Sequence, residues 1–224
     1  MPESIRVAVA SGSVTALRYP APEPAAPFTL VLGHGAGAPQ TSDFMLTFAQ
    51  ALAARGFPTV TFNFPYMEEG RRLPDRSPVL EAAFRAVIAA VRGRAGAGGG
   101  RLVIGGKSLG GRMASHVAAA GLDDLAGLVF LGYPLHPPGQ PERLRSAHLA
   151  RIRAPMLFVQ GTRDAFGTPD ELAPLLAPLG PAVRVHVVAG GDHSFAVPKR
   201  GPVSQADVFT RVQDEIARWL RGLG

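Results

Sequence analysis

The segment Arg101 to Ser115 reads RLVIGGKSLGGRMAS, and two chemistries compete for its centre. Gly-Lys-Ser closes a phosphate-cradling loop, whereas Gly-Lys-Ser-Leu-Gly presents a nucleophilic serine on a sharp turn. A phosphate loop of the form Gly-x-x-x-x-Gly-Lys-Ser would need its first glycine at Arg101, inside an apolar run that reads as a strand. That leaves no stretch of free backbone N–H groups to wrap a phosphate. The other reading has every position filled: Gly106-Lys107-Ser108-Leu109-Gly110, with LVIG before it as a strand and GRMASHVAAAG after it as a helix. Small residues flank Ser108 because its backbone must turn tightly in a strained conformation that exposes the hydroxyl.

A serine hydroxyl needs a base, and an imidazole base needs a carboxylate to orient it. Past the apolar run Met156 to Val159 comes QGTRDAFGTPDEL, which puts Asp164 on a loop just beyond a strand end. Past Val183 to Val188 comes AGGDHSF, which does the same for His193. Groups at the carboxyl ends of parallel strands share one rim, and the order Ser, Asp, His suits a nucleophile, an acid and a base on such a sheet. Asp170 is a weaker acid candidate, since Pro169-Asp170-Glu171 reads as the first turn of a helix. Asp192 adjoins His193, but adjacency does not carry its carboxylate to the far side of the ring. The remaining histidines, His116, His136, His148 and His186, are scattered through a helix, loops and a strand and show no metal-ligand spacing. The expected chemistry calls for no metal and no cofactor.

The run Phe28 to Leu32 leads into Gly33-His34-Gly35-Ala36-Gly37, where small residues let backbone N–H groups approach a reacting carbonyl. The oxyanion donors are therefore expected to be the N–H groups of Ala36 and Leu109, with Gly35 or Gly37 replacing Ala36 if the turn is shifted. His34, at a strand exit, is expected to brace this loop by a hydrogen bond and to leave proton transfer to His193.

These groups require a scaffold that ends several strands on one edge. Phe28–Leu32, Pro58–Phe62, Leu102–Ile104, Gly127–Leu131, Met156–Val159 and Val183–Val188 read as strands, several of them continuously apolar, so the sheet should be covered on both faces. Asp43–Arg55, Val79–Val91, Leu109–Ala120, Pro169–Leu176 and Ala206–Leu220 carry helical periodicity. The alternation predicts an α/β domain with a mostly parallel, doubly wound sheet and helices on both faces. Ile5–Val9 and Val14–Tyr19 should add an antiparallel hairpin. Pro20 to Pro27 has four prolines in eight residues and reads as a surface connector, and the glycine-rich stretch Gly93 to Gly100 as a helix-to-strand loop.

With 224 residues, 46% of them hydrophobic, one well-filled domain over residues 1–224 is expected. The start MPESIRVAVASGS is unlike a secretory signal, and no apolar run approaches the roughly 20 residues that cross a bilayer. There is no cysteine and hence no disulfide framework. A cytoplasmic enzyme away from membranes is expected. The formal charge of +6 comes mostly from dispersed arginines without a dense basic tail, so a small molecule rather than nucleic acid is the expected partner.

With these residues assembled, the chain resembles the α/β-hydrolase superfamily, in particular its compact dienelactone-hydrolase-like branch. VLGHGAG, FNFPYMEEGRR, GGKSLGGRMAS, PMLFVQGTRDAFG and GGDHSF are similar to the small group containing testis-expressed protein 30 and a related domain of the nonspecific-lethal complex. The resemblance spans approximately Phe28 to Leu220 and implies an α/β-hydrolase fold with Ser108 as nucleophile, Asp164 as acid and His193 as base. Dienelactone hydrolases proper use a cysteine nucleophile, which this chain lacks, so their substrate does not carry over. The implied activity is a serine hydrolase, a carboxylesterase or thioesterase acting on a small substrate. The competing reading is a catalytically silent interaction module with the same fold, recognisable by an occluded Ser108 or separated triad side chains.

The connection from Gly132 to Pro155 is too short for a large cap, although residues 133–148 suffice for a small lip. Tyr66, Met67, Phe166 and Phe195 are candidate pocket residues, with plain loop packing an equal alternative. Arg71, Arg72 and Arg76 are expected to pair with Glu68, Glu69 and Asp75 rather than to steer an anionic substrate. Lys107 either supports the elbow or reaches the pocket rim, and the sequence leaves both open.

Overall fold

The computed structural model describes residues 2–94, 101–122, 124–200 and 202–223. Eight strands form one sheet: β1 (Glu3–Val9), β2 (Gly12–Tyr19), β3 (Phe28–Gly33), β4 (Thr59–Phe62), β5 (Arg101–Lys107), β6 (Leu125–Leu131), β7 (Met156–Gly161) and β8 (Val183–Val188). Their order across the sheet is β1-β2-β4-β3-β5-β6-β7-β8. The first two pairings, β1 with β2 and β2 with β4, are antiparallel, and every later neighbour is parallel. The chain runs from β3 outward to β4, then returns to place β5 on the other side of β3. That reversal opens a crevice between the carboxyl ends of β3 and β5, where ligands bind in sheets of this type.

The helices are α1 (Asp43–Ala54), α2 (Pro65–Glu68), α3 (Ser77–Arg94), α4 (Leu109–Ala119), α5 (Pro169–Leu176) and α6 (Gln205–Arg221). Continuously apolar strands send successive side chains to opposite faces, so both faces need a cover. Val31, Ile104, Phe130 and Phe158 point to one side, against Leu80 and Phe84 of α3, Met113 and Val117 of α4 and Leu172 of α5. Leu32, Val103, Val129 and Val159 point to the other, against Met45, Phe48 and Leu52 of α1 and the stripe Val208, Val212, Ile216 and Leu220 of α6. Full burial of each such side chain contributes about 2 kcal/mol. Ser204 caps α6 by accepting a hydrogen bond from the Asp207 N–H at 3.1 Å, and Thr168 with Glu171 forms a reciprocal capping box on α5.

The expected elements are present to within a few residues at their ends, and the short α2, in a stretch read as loop, is additional. The main extension is β5, whose ladder continues through Gly105, Gly106 and Lys107 beside β6, so the strand occupies the place a phosphate loop would take. The connection 132–155 carries one 3₁₀ turn, Leu149–Arg151, and no cap domain. It folds back on itself through Tyr133, whose hydroxyl donates to the Arg145 carbonyl at 2.7 Å. The glycine-rich stretch lies outside the described residues from residue 95 onward. No helix among the described residues is long and apolar enough to cross a membrane.

A very close backbone contact joins the end of β3 to the start of α4. A β-carbon on Gly110 would stand 2.1 Å from the Gly33 carbonyl oxygen, and one on Gly106 would meet the same atom at 2.1 Å. Both partners are backbone, so neither can rotate away. Gly110→Ala should therefore destabilise the fold by about 1–3 kcal/mol. Gly93→Ala, in the exposed end of α3 with nothing within 4 Å of the added carbon, should be neutral or slightly stabilising. Thermal melts of the two variants against wild type check the contrast.

Candidate active site

Between the end of β5 at Lys107 and the start of α4 at Leu109, Ser108 alone reverses the chain. It does so at φ 48° and ψ −110°, on the left-handed side that residues with a β-carbon rarely adopt. Hydrogen bonds hold the turn from both sides: the Ser108 N–H donates to the Leu131 carbonyl at 3.1 Å, and the Arg112 N–H to the Ser108 carbonyl at 3.0 Å. The strain lifts the Ser108 hydroxyl out of the ladder, and the residue is half-buried at the crevice.

Asp164 follows β7 in a turn closed by its own carbonyl, which accepts from the Gly167 N–H at 3.2 Å. Only 2% of the residue is exposed. Its Oδ1 accepts from the Phe166 N–H at 2.8 Å, and its Oδ2 from Gln160 Nε2 at 2.8 Å and from His193 Nδ1 at 2.8 Å. A carboxylate can only accept, so Nδ1 carries the ring proton and Nε2 presents its lone pair. Ser108 Oγ lies 2.8 Å from that Nε2. Serine, imidazole and carboxylate thus form one continuous hydrogen-bonded chain.

The rivals are engaged elsewhere. Asp192 Oδ1 accepts from the N–H groups of Ser194 and Ala196 at 2.8 and 2.9 Å, closing the turn that presents His193. Asp170 lies in the first turn of α5. Among the described residues no three potential metal-ligating side chains come together.

The loop after β3 approaches the elbow closely. A β-carbon on Gly35 would meet Lys107 Cγ at 3.4 Å and Ser108 Cβ at 3.9 Å. Leu109 is the first residue of α4, so its N–H has no acceptor within the helix. The Ala36 carbonyl accepts from the Tyr66 hydroxyl at 3.0 Å, which turns that carbonyl toward Tyr66. His34 braces the loop from behind. Its Nε2 accepts from the Phe64 N–H at 3.0 Å, and its Nδ1 donates to the Gly35 carbonyl at 2.7 Å. Burial depresses its pKa to about 4, only partly offset by the Gly35 bond, so the ring stays neutral and keeps both contacts.

A cleft of about 340 Å³ opens over Ser108 and His193, with Ala36, Phe44, Met45, Lys107 and Phe166 in its wall. A larger hollow of about 660 Å³ between the β1–β2 hairpin and α3 is lined by alanine, valine and proline with one serine and no ionisable group, so it offers no chemistry. The four candidate pocket residues divide. Phe166 is in the wall, tilted against His193 with ring centroids 4.2 Å apart and 32° between the planes. Tyr66, Met67 and Phe195 stand behind it: Tyr66 and Phe195 are fully buried, the first under the Ala36 loop and the second against Phe44 and Phe48, while Met67 packs on the core. Arg71 pairs with Glu69 and Asp75 at 2.7 and 2.8 Å.

Two contributors escaped the sequence reading, Gln160 and Phe44. Gln160, buried near the end of β7, holds Asp164 and accepts from the Tyr133 N–H at 2.8 Å. A lone amide inside the apolar run PMLFVQG was the available signal. Phe44, in the first turn of α1, walls the cleft. Lys107, for which the sequence left elbow and pocket rim both open, lies in the wall as well.

The family model described as an alpha/beta hydrolase domain matches residues 26–221. Among solved structures, an alpha-beta serine hydrolase homologue from Coxiella burnetii superposes with a TM-score of 0.78 at 19% identity, covering 97% of each chain. An a/b serine hydrolase without lid from Xanthomonas campestris gives 0.75 at 20% identity, over 97% of this chain and 94% of that one. A dienelactone hydrolase from Anabaena variabilis gives 0.76 at 19% identity, over 99% and 97%. At these identities the likeness is one of fold.

The buried, neutral His34 makes the fold acid-sensitive. Below about pH 6.5 the unfolded chain binds a proton there, while the folded protein does not until about pH 4. The contribution of His34 is thus whole above pH 6.5 and is lost as pH falls toward 4, by up to about 3 kcal/mol. Urea unfolding midpoints should decline over this window, and His34→Asn should flatten the decline. An unchanged slope in the variant would refute the assignment.

Proposed function

Because the chain belongs to the alpha/beta hydrolase domain family, we propose that it is a serine hydrolase that cleaves a small ester or thioester through an acyl-enzyme. The observation that carries this reading is the unbroken hydrogen-bonded path from Ser108 Oγ through His193 to Asp164, with the hydroxyl at the floor of a cleft. A silent module would be expected to occlude the serine or to part the three side chains, and neither is the case here.

In the proposed reaction Ser108 Oγ attacks the substrate carbonyl carbon while its proton passes to His193 Nε2. Asp164 supports the imidazolium from Nδ1 but takes no proton itself. Negative charge then gathers on the former carbonyl oxygen, which we assign to the Leu109 and Ala36 N–H groups. Collapse of this intermediate breaks the bond to the leaving oxygen or sulfur, which departs with the proton from His193. Water, deprotonated by the same Nε2, attacks the acyl-enzyme and releases the carboxylic acid and free Ser108. Fixed dipoles aimed at the developing charge supply about 3 kcal/mol per donor.

The size of the cleft and its wall of Phe44, Met45 and Phe166 support a short, apolar acyl or alcohol portion. The commitment of Arg71 to Glu69 and Asp75 argues against that residue as a receptor for anionic substrates. The motifs VLGHGAG and GGKSLGGRMAS further support a place in the small group resembling testis-expressed protein 30.

A fluorophosphonate probe should label the wild type at Ser108, located by peptide mass mapping, and leave Ser108→Ala unlabelled with an unchanged melting temperature. Asp164→Asn should retain the fold and lower turnover of a p-nitrophenyl short-chain ester by about 10⁴-fold, since the amide no longer enforces the Nδ1–H tautomer. Labelling of the alanine variant at the wild-type rate would dismiss the proposal.

A further inference from the structure

Lys107 precedes the serine in the chain, yet its ammonium is not in solvent. The residue is 8% exposed, and its Nζ donates to the main-chain carbonyl of His193 itself. The stem runs beside Gly35 at the crevice, and a β-carbon on Gly132 would come within 3.0 Å of Nζ. The Phe44 ring centroid lies 5.6 Å from Nζ. One side chain therefore spans from the elbow, across the oxyanion loop, to the loop that carries the base.

Such a placement is costly. Burial pulls the pKa of Lys107 down to about 8, with the Asp164 and Asp192 carboxylates only partly offsetting it. An apolar residue of similar length would spare the fold this desolvation, and replacing buried charge by hydrophobic packing is commonly neutral or stabilising. The fold itself therefore does not account for an ammonium here. The His193 turn already has its own closure in the Asp192 carboxylate, the Phe195 N–H bonded to the Asp192 carbonyl at 2.9 Å, and the burial of Phe195. What those contacts do not set is how far the turn stands from Ser108. Asp164 and the β7 end fix the turn from one side, and Nζ to the His193 carbonyl ties it directly to the residue before Ser108.

We propose that Lys107 is a positioning residue whose ammonium ties the His193 loop to the nucleophile elbow and so sets the approach of Nε2 to Ser108 Oγ. The inference rests on the serine-hydrolase reading of the site and adds to it a residue of the cleft wall whose ammonium bonds the His193 main chain and not the reacting atoms. Displacing a reacting group by about 1 Å can cost about 100-fold in rate, so this single bond has leverage on turnover while contributing little to stability. The charged groups facing Nζ are the Asp164 and Asp192 carboxylates, and its hydrogen-bond acceptor is the His193 main-chain carbonyl. Above about pH 8 the ammonium becomes an amine, and a charge-assisted hydrogen bond becomes a neutral one of roughly half the strength. The unfolded chain keeps its proton up to about 10.5, so over this window stability rises with pH while the tether weakens.

The experiment measures the second-order rate of fluorophosphonate labelling, kcat and KM for a neutral p-nitrophenyl ester, and the melting temperature, for wild type, Lys107→Met and Lys107→Gln between pH 6 and 10. Lys107→Met should lose at least tenfold in labelling rate and kcat, keep its KM within about twofold, and melt at or above the wild-type temperature. Lys107→Gln, which retains an N–H donor, should recover most of the rate and lack the decline that wild type shows above pH 8. Labelling of Lys107→Met at the wild-type rate, a melting temperature several degrees below wild type, or a glutamine variant no faster than the methionine one would each overturn the inference. A wild type that no fluorophosphonate labels would instead overturn the hydrolase reading beneath it.

Discussion

The backbone of Gly33 and the backbone around the elbow come closer than any side chain would allow. Gly106 and Gly110 both face the Gly33 carbonyl, and a β-carbon on Gly33 would stand 2.9 Å from Gly110 Cα. This contact brings the end of β3 against the end of β5 at the point where strand order reverses. The loop bearing Ala36 and the turn bearing Ser108 then lie within van der Waals reach. Without it the two halves of the crevice would stand apart by a side-chain layer, and no hydroxyl orientation at Ser108 would bring it beside the Gly35–Ala36 backbone.

On that frame, position is determined by saturating each polar group near the serine. Asp164 is held by a main-chain N–H, the Gln160 amide and the His193 ring, so its carboxylate has one orientation. His34 is used at both ring nitrogens, which leaves it no lone pair or proton to offer the cleft. Similar residue types thus take separate roles because of what surrounds them: His34 is buried and spoken for, whereas His193 keeps one nitrogen directed at the serine. The polar interior is small and almost fully paired, as a buried network must be to avoid the cost of orphaned donors.

Much of this was legible in the sequence because it rests on local patterns. Continuous apolar runs, helical periodicity and glycines flanking Ser108 each report on a neighbourhood of a few residues, and Asp164 and His193 follow from their position just past strand ends. What was not legible depends on direction. Tyr66 and Phe195 follow strand exits as Phe166 does, yet their rings turn inward, because Tyr66 finds the Ala36 carbonyl and Phe195, at φ 62°, is folded under Phe44 and Phe48. Alternation along β5 breaks at Gly106, with its φ of 144°, so counting residues cannot assign a face to Lys107. Gln160 was hidden for a different reason. A strand buried on both faces offers no polar side on which an amide would be expected, and its purpose lies in Tyr133 and Asp164, 27 residues away and 4 residues away.

The connection between β6 and β7 closes over itself and adds nothing to the wall above Ser108. An acyl group carried there would meet bulk solvent at its carbonyl rather than a roofed chamber, and any alcohol or amine acceptor would have to outcompete water at tens of molar without a binding surface of its own. In the proposed mechanism this architecture favours hydrolysis over transfer, because the short connection builds no cover in which a competing acceptor would be held beside the acyl-enzyme.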